Sequence, residues 1–198
     1  MSVILHRHPR FAEFGELLRN TPGLFEGWQG TLFRFQTVDY PAPKDILSGE
    51  GAKWRGGRWN IPGLAALYGS TTDSTALEEC KAHDRYYGVV TRSPRLLVAI
   101  EARLMRVLDL TNPKNRRALG ITLRELSAED WRKLQAAGRE SFTQAIGRAV
   151  SSADGSGLLA RSAAVQRGVN VVIFPGNCES KNVSVVEGEK LAALQRKP

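Results

Sequence analysis

The side chains of this sequence that could do chemistry are most concentrated between Trp54 and Glu79, in WRGGRWNIPGLAALYGSTTDSTALEE. This stretch holds two tryptophans, two arginines, a Gly-Gly pair, a Tyr-Gly-Ser sequence and two adjacent glutamates. Arginines favour anionic ligands, and glutamates are candidates for acid–base or electrostatic catalysis. Because a fold alone requires fewer polar and aromatic groups, we expect the functional site to lie here.

Each of these residues also has an ordinary structural explanation. Glu78 and Glu79 fall in the first turns of a predicted helix, where the helix dipole favours carboxylates. His83 is spaced to pair with Glu79 along that helix. Trp54 and Trp59 are more typical of a core or its rim than of base stacking. Taken one at a time, none of them identifies a catalytic residue.

The elements that must position these side chains follow from the hydrophobic pattern. Residues 31–37, TLFRFQT, are predicted as a strand that places Arg34 opposite Phe33 and Phe35. If the phenylalanines face the core, Arg34 points into a cleft or into solvent. Residues 38–53 contain two prolines and two glycines and are predicted as a long irregular loop.

The glutamates belong to a helix predicted from about Asp73 to Tyr87, with N-cap candidates at 71–74. Ser127 and Asp130 resemble a capping box before a further helix. The remaining predicted elements are helices near 10–19 and 142–150, strands at 65–69 and from 169, and two strands within 95–110 joined by a reversal at 102–104. Their irregular alternation predicts one mixed α+β domain.

Length and composition agree with a single globular domain. The chain has 198 residues, of which 42% are hydrophobic and 24% charged. Cys80 and Cys178 are far apart and fit a reducing cytosol, so we expect a cytoplasmic protein. The first residues lack the apolar run of a signal peptide, and no window is long enough to span a membrane.

Several site classes are excluded by missing motifs. The three histidines and two cysteines match no zinc spacing, so we predict no metal. The chain has no GxxxxGK[ST] and no GxSxG motif. GSGLLA at 155–160 follows a helical pattern rather than a strand, which argues against a dinucleotide-binding loop.

The formal net charge of +8 favours an anionic partner. The basic residues are scattered and form no long run, so direct nucleic-acid binding is not our main expectation. A basic nucleic-acid-binding module, in which tryptophans and arginines stack on bases and clamp phosphates, stays as an alternative.

In combination, several segments resemble the RES domain family, which is named for an arginine, a glutamate and a serine. The segments are Arg34 on its strand, GGRWNIPG, LYGS, TALEECKAH and LLARSAAVQRGVNVVIF, and they extend over about residues 31–175. The resemblance implies catalytic roles for Arg34, Glu79 and Ser162 and substrate-binding roles for Arg58, Tyr68 and Asn170. The neighbouring Glu78 leaves two candidates for the catalytic acid.

The resemblance implies a fold like that of ADP-ribosyltransferases, with two small packed β-sheets flanked by helices. It implies an NAD+-degrading toxin of the glycohydrolase or phosphorylase type, with NAD+ as substrate and an Xre-type antitoxin as partner. A mono-ADP-ribosyltransferase that modifies a protein is one alternative, and a catalytically inactive binding domain is another.

In this chemistry Glu79 would stabilise the oxocarbenium-like ribose, and Arg34 and Arg58 would bind the pyrophosphate. Tyr68 would stack on nicotinamide, and Ser162 would hydrogen-bond ribose or position Arg34. Residues 1–30 are predicted as an N-terminal helical extension, and 31–198 as the RES domain. A helical insertion at about 111–152 would form a lid, a homodimer surface, an antitoxin-docking surface or plain packing.

Overall fold

The strands of the protein form one hydrogen-bonded sheet. A computed structural model describes residues 5–88 and 94–193. Its strands are β1 (Phe25–Thr37), β2 (Leu67–Ser70), β3 (Arg95–Asp109), β4 (Gly157–Arg161), β5 (Val169–Ile173) and β6 (Val183–Val185). Its α-helices are α1 (Phe11–Asn20), α2 (Pro43–Leu47), α3 (Glu50–Arg55), α4 (Asp73–Tyr87), α5 (Pro113–Ala118), α6 (Leu123–Ala128), α7 (Trp131–Ala136), α8 (Phe142–Ser152) and α9 (Gly188–Ala193).

The sheet closes on itself as a five-stranded barrel in the order β1-β2-β5-β4-β3, with β1 also paired to β3. All these pairings are antiparallel except that of β3 with β4, and β6 lies outside the ring on β3. The prediction of two separate small sheets was therefore wrong. β1 uses both of its edges: it pairs with β3 along nearly its whole length and meets β2 at Phe33 and Ser70.

β3 is a single strand of 15 residues, whereas we predicted two strands with a reversal at 102–104. The residues at the predicted reversal, Ala-Arg-Leu, include no glycine, proline or asparagine that would favour a tight turn. The long partner β1 also gives them backbone hydrogen bonds. A β-bulge between Glu26 and Trp28 takes up the change of register between the two strands.

The barrel interior is filled by aliphatic side chains from all of its strands. Leu32 of β1 lies opposite Ile100 of β3, and Arg34 lies opposite Val98 on the same face. Leu32, Val98 and Ile100 are almost completely buried, whereas Phe33 is only partly buried. The inward face of β1 is thus the one that carries Arg34, contrary to the assumption that the phenylalanines face the core.

A second core lies between the barrel and helices α1 and α8. Phe14 and Leu18 of α1 and Ile146 of α8 are fully buried there. Arg148 of α8 forms a bidentate ion pair with Glu140, whose side chain is 1% exposed. The apolar contacts of Phe14 and Leu18 hold the N-terminal helix in this core, and the structure is a mixed α+β single domain.

Most of the predicted helices are confirmed. α4 covers Asp73–Tyr87 with Thr72 as its N-cap, and α1 and α8 lie where the periodicity placed them. The predicted loop at 38–53 instead contains α2 and α3, which are too short to produce a clear helical period. Asp130 caps α7, whereas Ser127 lies inside α6, so that pair forms no capping box.

The predicted domain boundaries at 1–30 and 31–198 stay predictions, and residues 1–4 and 194–198 lie outside the described residues. Among the helices that the structure describes, none has the length and apolarity to cross a membrane.

Candidate active site

Two adjoining cavities form a cleft at one end of the barrel. The first arm, about 560 Å³, is lined by residues 33–37 of β1. The α7 arm, about 400 Å³, is lined by Trp131 and Arg132 of α7. Tyr68, Glu79 and other residues line both arms. Glu79 therefore lies where the two arms meet.

The Glu79 carboxylate is held by residues in or next to β4 and β5, the two strands that follow α8. Its Oε1 accepts a hydrogen bond of 2.7 Å from Ser162 Oγ, just after β4, and one of 2.6 Å from Asn170 Nδ2 in β5. Its neighbour Glu78 instead pairs with Lys81 at 2.8 Å, with a side chain 39% exposed. Consecutive helical residues face different directions, so only Glu79 of this pair lines the cleft.

The partners of Glu79 are themselves fixed by hydrogen bonds. Ser162 Oγ accepts from the backbone N–H groups of Ala164 at 3.0 Å and Val165 at 2.9 Å, so its own hydrogen is directed to Glu79. Asn170 Oδ1 accepts from the buried Ser70 Oγ at 2.8 Å. This network gives the carboxylate one orientation before any ligand binds.

Arg34 lines the first arm and lies on the inward face of β1, opposite Val98. Burial lowers the pKa of its guanidinium to about 10, because the charged form is poorly solvated there. Its buried Nε has no hydrogen-bond partner among the residues that the structure describes. Such an unpaired cationic donor is suited to an anionic ligand.

Arg58 lies in the α7 arm, on the turn that starts with Gly56 and Gly57. Gly56 has a φ of 71°, and a Cβ at Gly57 would lie 2.5 Å from the Tyr68 hydroxyl, so both glycines are required by the turn. Arg58 Nη2 donates to the Leu126 carbonyl of α6. Burial lowers the Arg58 pKa, and the negative charge of Glu79 partly opposes this change.

Tyr68 lines both arms, but its hydroxyl is engaged in the fold. The hydroxyl donates to Asn60 Oδ1 at 2.7 Å and accepts from the Trp59 backbone N–H at 2.9 Å. Burial raises its pKa well above the usual range. The ring is therefore the part of Tyr68 that is left for a ligand. Trp59 is 4% exposed and belongs to the core, whereas Trp54 is 80% exposed.

All six residues that the sequence singled out thus line the cleft or contact a residue that does. Glu79, Ser162 and Asn170 are joined by hydrogen bonds, whereas Arg34 and Arg58 line different arms. Within the described ranges, 5–88 and 94–193, no cluster of three or more His, Cys, Asp or Glu side chains is arranged to hold a metal.

The sequence analysis singled out no residue of the wall that α7 contributes, although a lid was among the roles expected for residues 111–152. Trp131 and Arg132 line the α7 arm together with Tyr86 and Tyr87 of α4. The sequence of α7 has the pattern of an ordinary amphipathic helix, so no local signal marks it as part of a site. Sequence reasoning also missed Cys80, which lines the first arm and accepts a hydrogen bond from Arg95.

Comparison with known proteins adds a family to this geometry. The NAD(+) phosphorylase MbcT of Mycobacterium tuberculosis is 33% identical over 140 residues, which cover 67% of this chain and 72% of that protein. The same protein of Mycobacterium bovis matches equally well. The crystal structure of the M. tuberculosis MbcT-MbcA toxin-antitoxin complex contains a similar fold, with a TM-score of 0.70 and 23% identity over 92% of this chain and 98% of that chain.

The family pattern of the RES domain matches residues 31–193, a range that contains every residue of the cleft described above. The resemblance seen in the motifs and the match over residues 31–193 agree, and the chain belongs to the RES domain family.

Proposed function

We propose that this protein cleaves the N-glycosidic bond between nicotinamide and ribose in NAD+, as a toxin of a toxin-antitoxin pair. The observation that carries the proposal is the position of Glu79, a carboxylate with a fixed orientation at the junction of two cation-lined arms. The related MbcT is named an NAD(+) phosphorylase, which supports this choice of substrate.

The arrangement suits the charge changes of this reaction. Breaking the bond leaves positive charge on the ribose, and a nearby carboxylate stabilises that charge. Ser162 and Asn170 both bind Oε1 of Glu79. Oε2 takes no hydrogen bond from the described residues, so it is left for the ribose. Nicotinamide leaves as a neutral molecule, so the protein need not donate a proton to it.

The position of Glu79 where the two arms meet also determines which part of NAD+ lies in which arm. The scissile bond must lie at Glu79, so the ADP-ribose and the leaving group lie on opposite sides of it. The first arm is the larger, about 560 Å³, and is lined by Arg34, whose buried Nε is unpaired among the described residues. We assign the ADP-ribose to this arm, where Arg34 binds the pyrophosphate and the Tyr68 ring contacts the nicotinamide side of the junction.

Two further assignments belong to this proposal. The first is that the barrel is a variant of the ADP-ribosyltransferase fold, with NAD+ bound in its cleft. The second is that an antitoxin covers the cleft, as the toxin-antitoxin complex that contains a similar fold suggests. The two free cysteines agree with activity in a reducing compartment such as the cytosol.

The test compares nicotinamide release from NAD+ by wild type, Glu79→Gln and Glu78→Gln. Glutamine keeps the size of the side chain and removes its charge. We expect Glu79→Gln to lower kcat about 100-fold or more, as for loss of a group that stabilises the transition state. Glu78→Gln is the matched control, because Glu78 is adjacent in sequence but pairs with Lys81 outside the cleft.

Equal activity of wild type and folded Glu79→Gln would reject Glu79 as the essential carboxylate. Absence of nicotinamide release from wild type, free of any antitoxin, would reject NAD+ cleavage altogether.

A further inference from the structure

The α7 arm is lined by more positive than negative side chains. Four arginines line it: Arg55, Arg58, Arg132 and Arg161. Among the described residues that line this arm, Glu79 is the one carboxylate, and its Oε1 already accepts two hydrogen bonds. Since the ADP-ribose is assigned to the first arm, the leaving group of the proposed reaction lies in this one. The charge of the α7 arm therefore acts on the departing ring.

The pyridinium ring of NAD+ is a poor electrostatic match for these arginines. Its nitrogen is positively charged, and its 3-carboxamide carries no negative charge to offset this. The arginines already repel one another: burial lowers the pKa of Arg58, and the nearby charge of Arg132 lowers it further. A pyridinium with a 3-carboxylate has no net charge, and its carboxylate can pair with a guanidinium.

Arg132 has a guanidinium that is held in place by aromatic rings. Its guanidinium carbon lies 4.4 Å from the ring centres of Tyr86 and Trp131 and 5.6 Å from that of Tyr87. Such cation–π contacts fix the position of the guanidinium without using its N–H groups in hydrogen bonds. The same three rings line the arm, so they also offer an apolar wall to a flat aromatic ligand.

The nearby carboxylate of Asp130 does not neutralise Arg132. Asp130 accepts hydrogen bonds from the Arg132 backbone N–H at 3.1 Å and from the Tyr86 hydroxyl at 3.3 Å. Its ion pair in the described part of the chain is with Lys133, at 4.0 Å. The buried Nε of Arg132 has no hydrogen-bond partner among the described residues. Because Arg132 as a whole is partly exposed and lines the arm, its guanidinium is available to an anionic group of a ligand there.

We propose that the α7 arm binds a 3-carboxylate on the leaving pyridine ring through Arg132. This inference rests on the proposed function and adds a substrate class, dinucleotides that carry nicotinic acid in place of nicotinamide. In NAD+ itself the carboxamide offers Arg132 only a neutral oxygen. A charge-assisted hydrogen bond is about twice as strong as a neutral one, so the acidic dinucleotide binds more tightly than NAD+.

The cleavage step balances for both dinucleotides. The bond between the ribose C1 and the ring nitrogen breaks, and its electron pair stays on that nitrogen. An oxygen nucleophile, inorganic phosphate or water, forms the new bond to C1, and a proton lost by water passes to solvent. Nicotinamide leaves as a neutral molecule and nicotinic acid as its carboxylate. The contact with the carboxylate exists in the bound substrate as well as in the transition state, so it lowers KM rather than raising kcat.

The experiment measures the steady-state loss of NAD+ and of nicotinic acid adenine dinucleotide with wild type, Arg132→Gln and Lys133→Gln. For wild type we expect a KM for the acidic dinucleotide about tenfold below that for NAD+, at similar kcat. Arg132→Gln raises the KM for the acidic dinucleotide about ten- to hundredfold and the KM for NAD+ less than about tenfold. Lys133→Gln, the matched control, removes an adjacent charge from a side chain that is 82% exposed and keeps both wild-type KM values.

Two further measurements guard against a folding defect in Arg132→Gln. Arg132→Lys keeps the charge between the aromatic rings and removes only the planar fork of donors, so its KM for the acidic dinucleotide lies between those of wild type and Arg132→Gln. The second measurement needs no variant: nicotinic acid and nicotinamide are compared as inhibitors of NAD+ loss by wild type. We expect nicotinic acid to inhibit at about tenfold lower concentration, and weaker inhibition by nicotinic acid would overturn the inference.

A wild-type KM for the acidic dinucleotide above that for NAD+ would overturn the inference and leave the proposed NAD+ cleavage intact. An equal rise of both KM values in folded Arg132→Gln would do the same, since Arg132 would then bind a part that the two dinucleotides share. Wild type that cleaves neither dinucleotide would overturn both the inference and the proposed function.

Discussion

The hydrogen bond between Asn170 and Glu79 gives the sharpest test of how the carboxylate is positioned. Asn170→Ala removes the 2.6 Å bond to Glu79 Oε1 and leaves the buried Ser70 hydroxyl without its acceptor. A hydrogen bond to a charged group contributes about 1.5–3 kcal/mol. If this contribution is lost in the transition state, kcat falls about ten- to hundredfold.

The same substitution has a predictable effect on stability. Loss of about 2 kcal/mol in a chain of this length lowers the melting temperature by about 4–8 °C. Activity is therefore measured well below the transition, as kcat and KM for nicotinamide release, with thermal unfolding measured in parallel. Ser70→Ala is the control: it removes only the outer bond, so kcat falls by less than about threefold.

The split between kcat and KM decides the outcome. Asn170 contacts Glu79, so the KM for NAD+ stays near that of wild type if the reasoning is correct. An unchanged kcat with a raised KM would refute it, because Asn170 would then bind NAD+ directly, as the family resemblance implies. An unchanged kcat and KM would show that Ser162 alone orients the carboxylate.

Two further predictions concern burial and packing. Burial lowers the pKa of Arg34 to about 10, so its buried charge opposes folding at pH 7. We expect Arg34→Met to raise the melting temperature by about 2–4 °C. The same substitution should abolish nicotinamide release. The difference in melting temperature between Arg34→Met and wild type narrows above about pH 10, because the folded wild type then loses a proton that its unfolded chain still binds. Gly147→Ala overlaps the Trp59 carbonyl, and urea unfolding should show a loss of about 3 kcal/mol.

The outcomes that contradict these two predictions are specific. A lower melting temperature for Arg34→Met would mean that the guanidinium is satisfied in the folded state. Wild-type stability in Gly147→Ala would mean that α8 and the segment after the Gly-Gly turn are not in close contact.

Local signals in the sequence were enough for the elements that depend on local contacts. The helix that carries Glu79 begins and ends as predicted, because Thr72 caps it and glycine at position 88 ends it in the left-handed region. The fold class was also predictable. The long strand β3 was not, because its continuity depends on pairing with β1, a contact between distant segments.

The functional site likewise has features that the sequence determined and features that it did not. The sequence determined which residue types are available, an arginine on β1, two glutamates on a helix and a serine after β4, and their combined order identified the family. It could not choose between Glu78 and Glu79, since both fit the helix equally well.

Only the tertiary structure decided which glutamate faces the cleft and what holds it. Ser162 and Asn170 reach Glu79 from 83 and 91 residues away, across the closed barrel. Arg132 enters the same cleft from a helix whose sequence looks like ordinary packing. Such contacts depend on barrel closure and helix packing between distant segments, and these leave no periodic trace in the sequence that contributes each side chain.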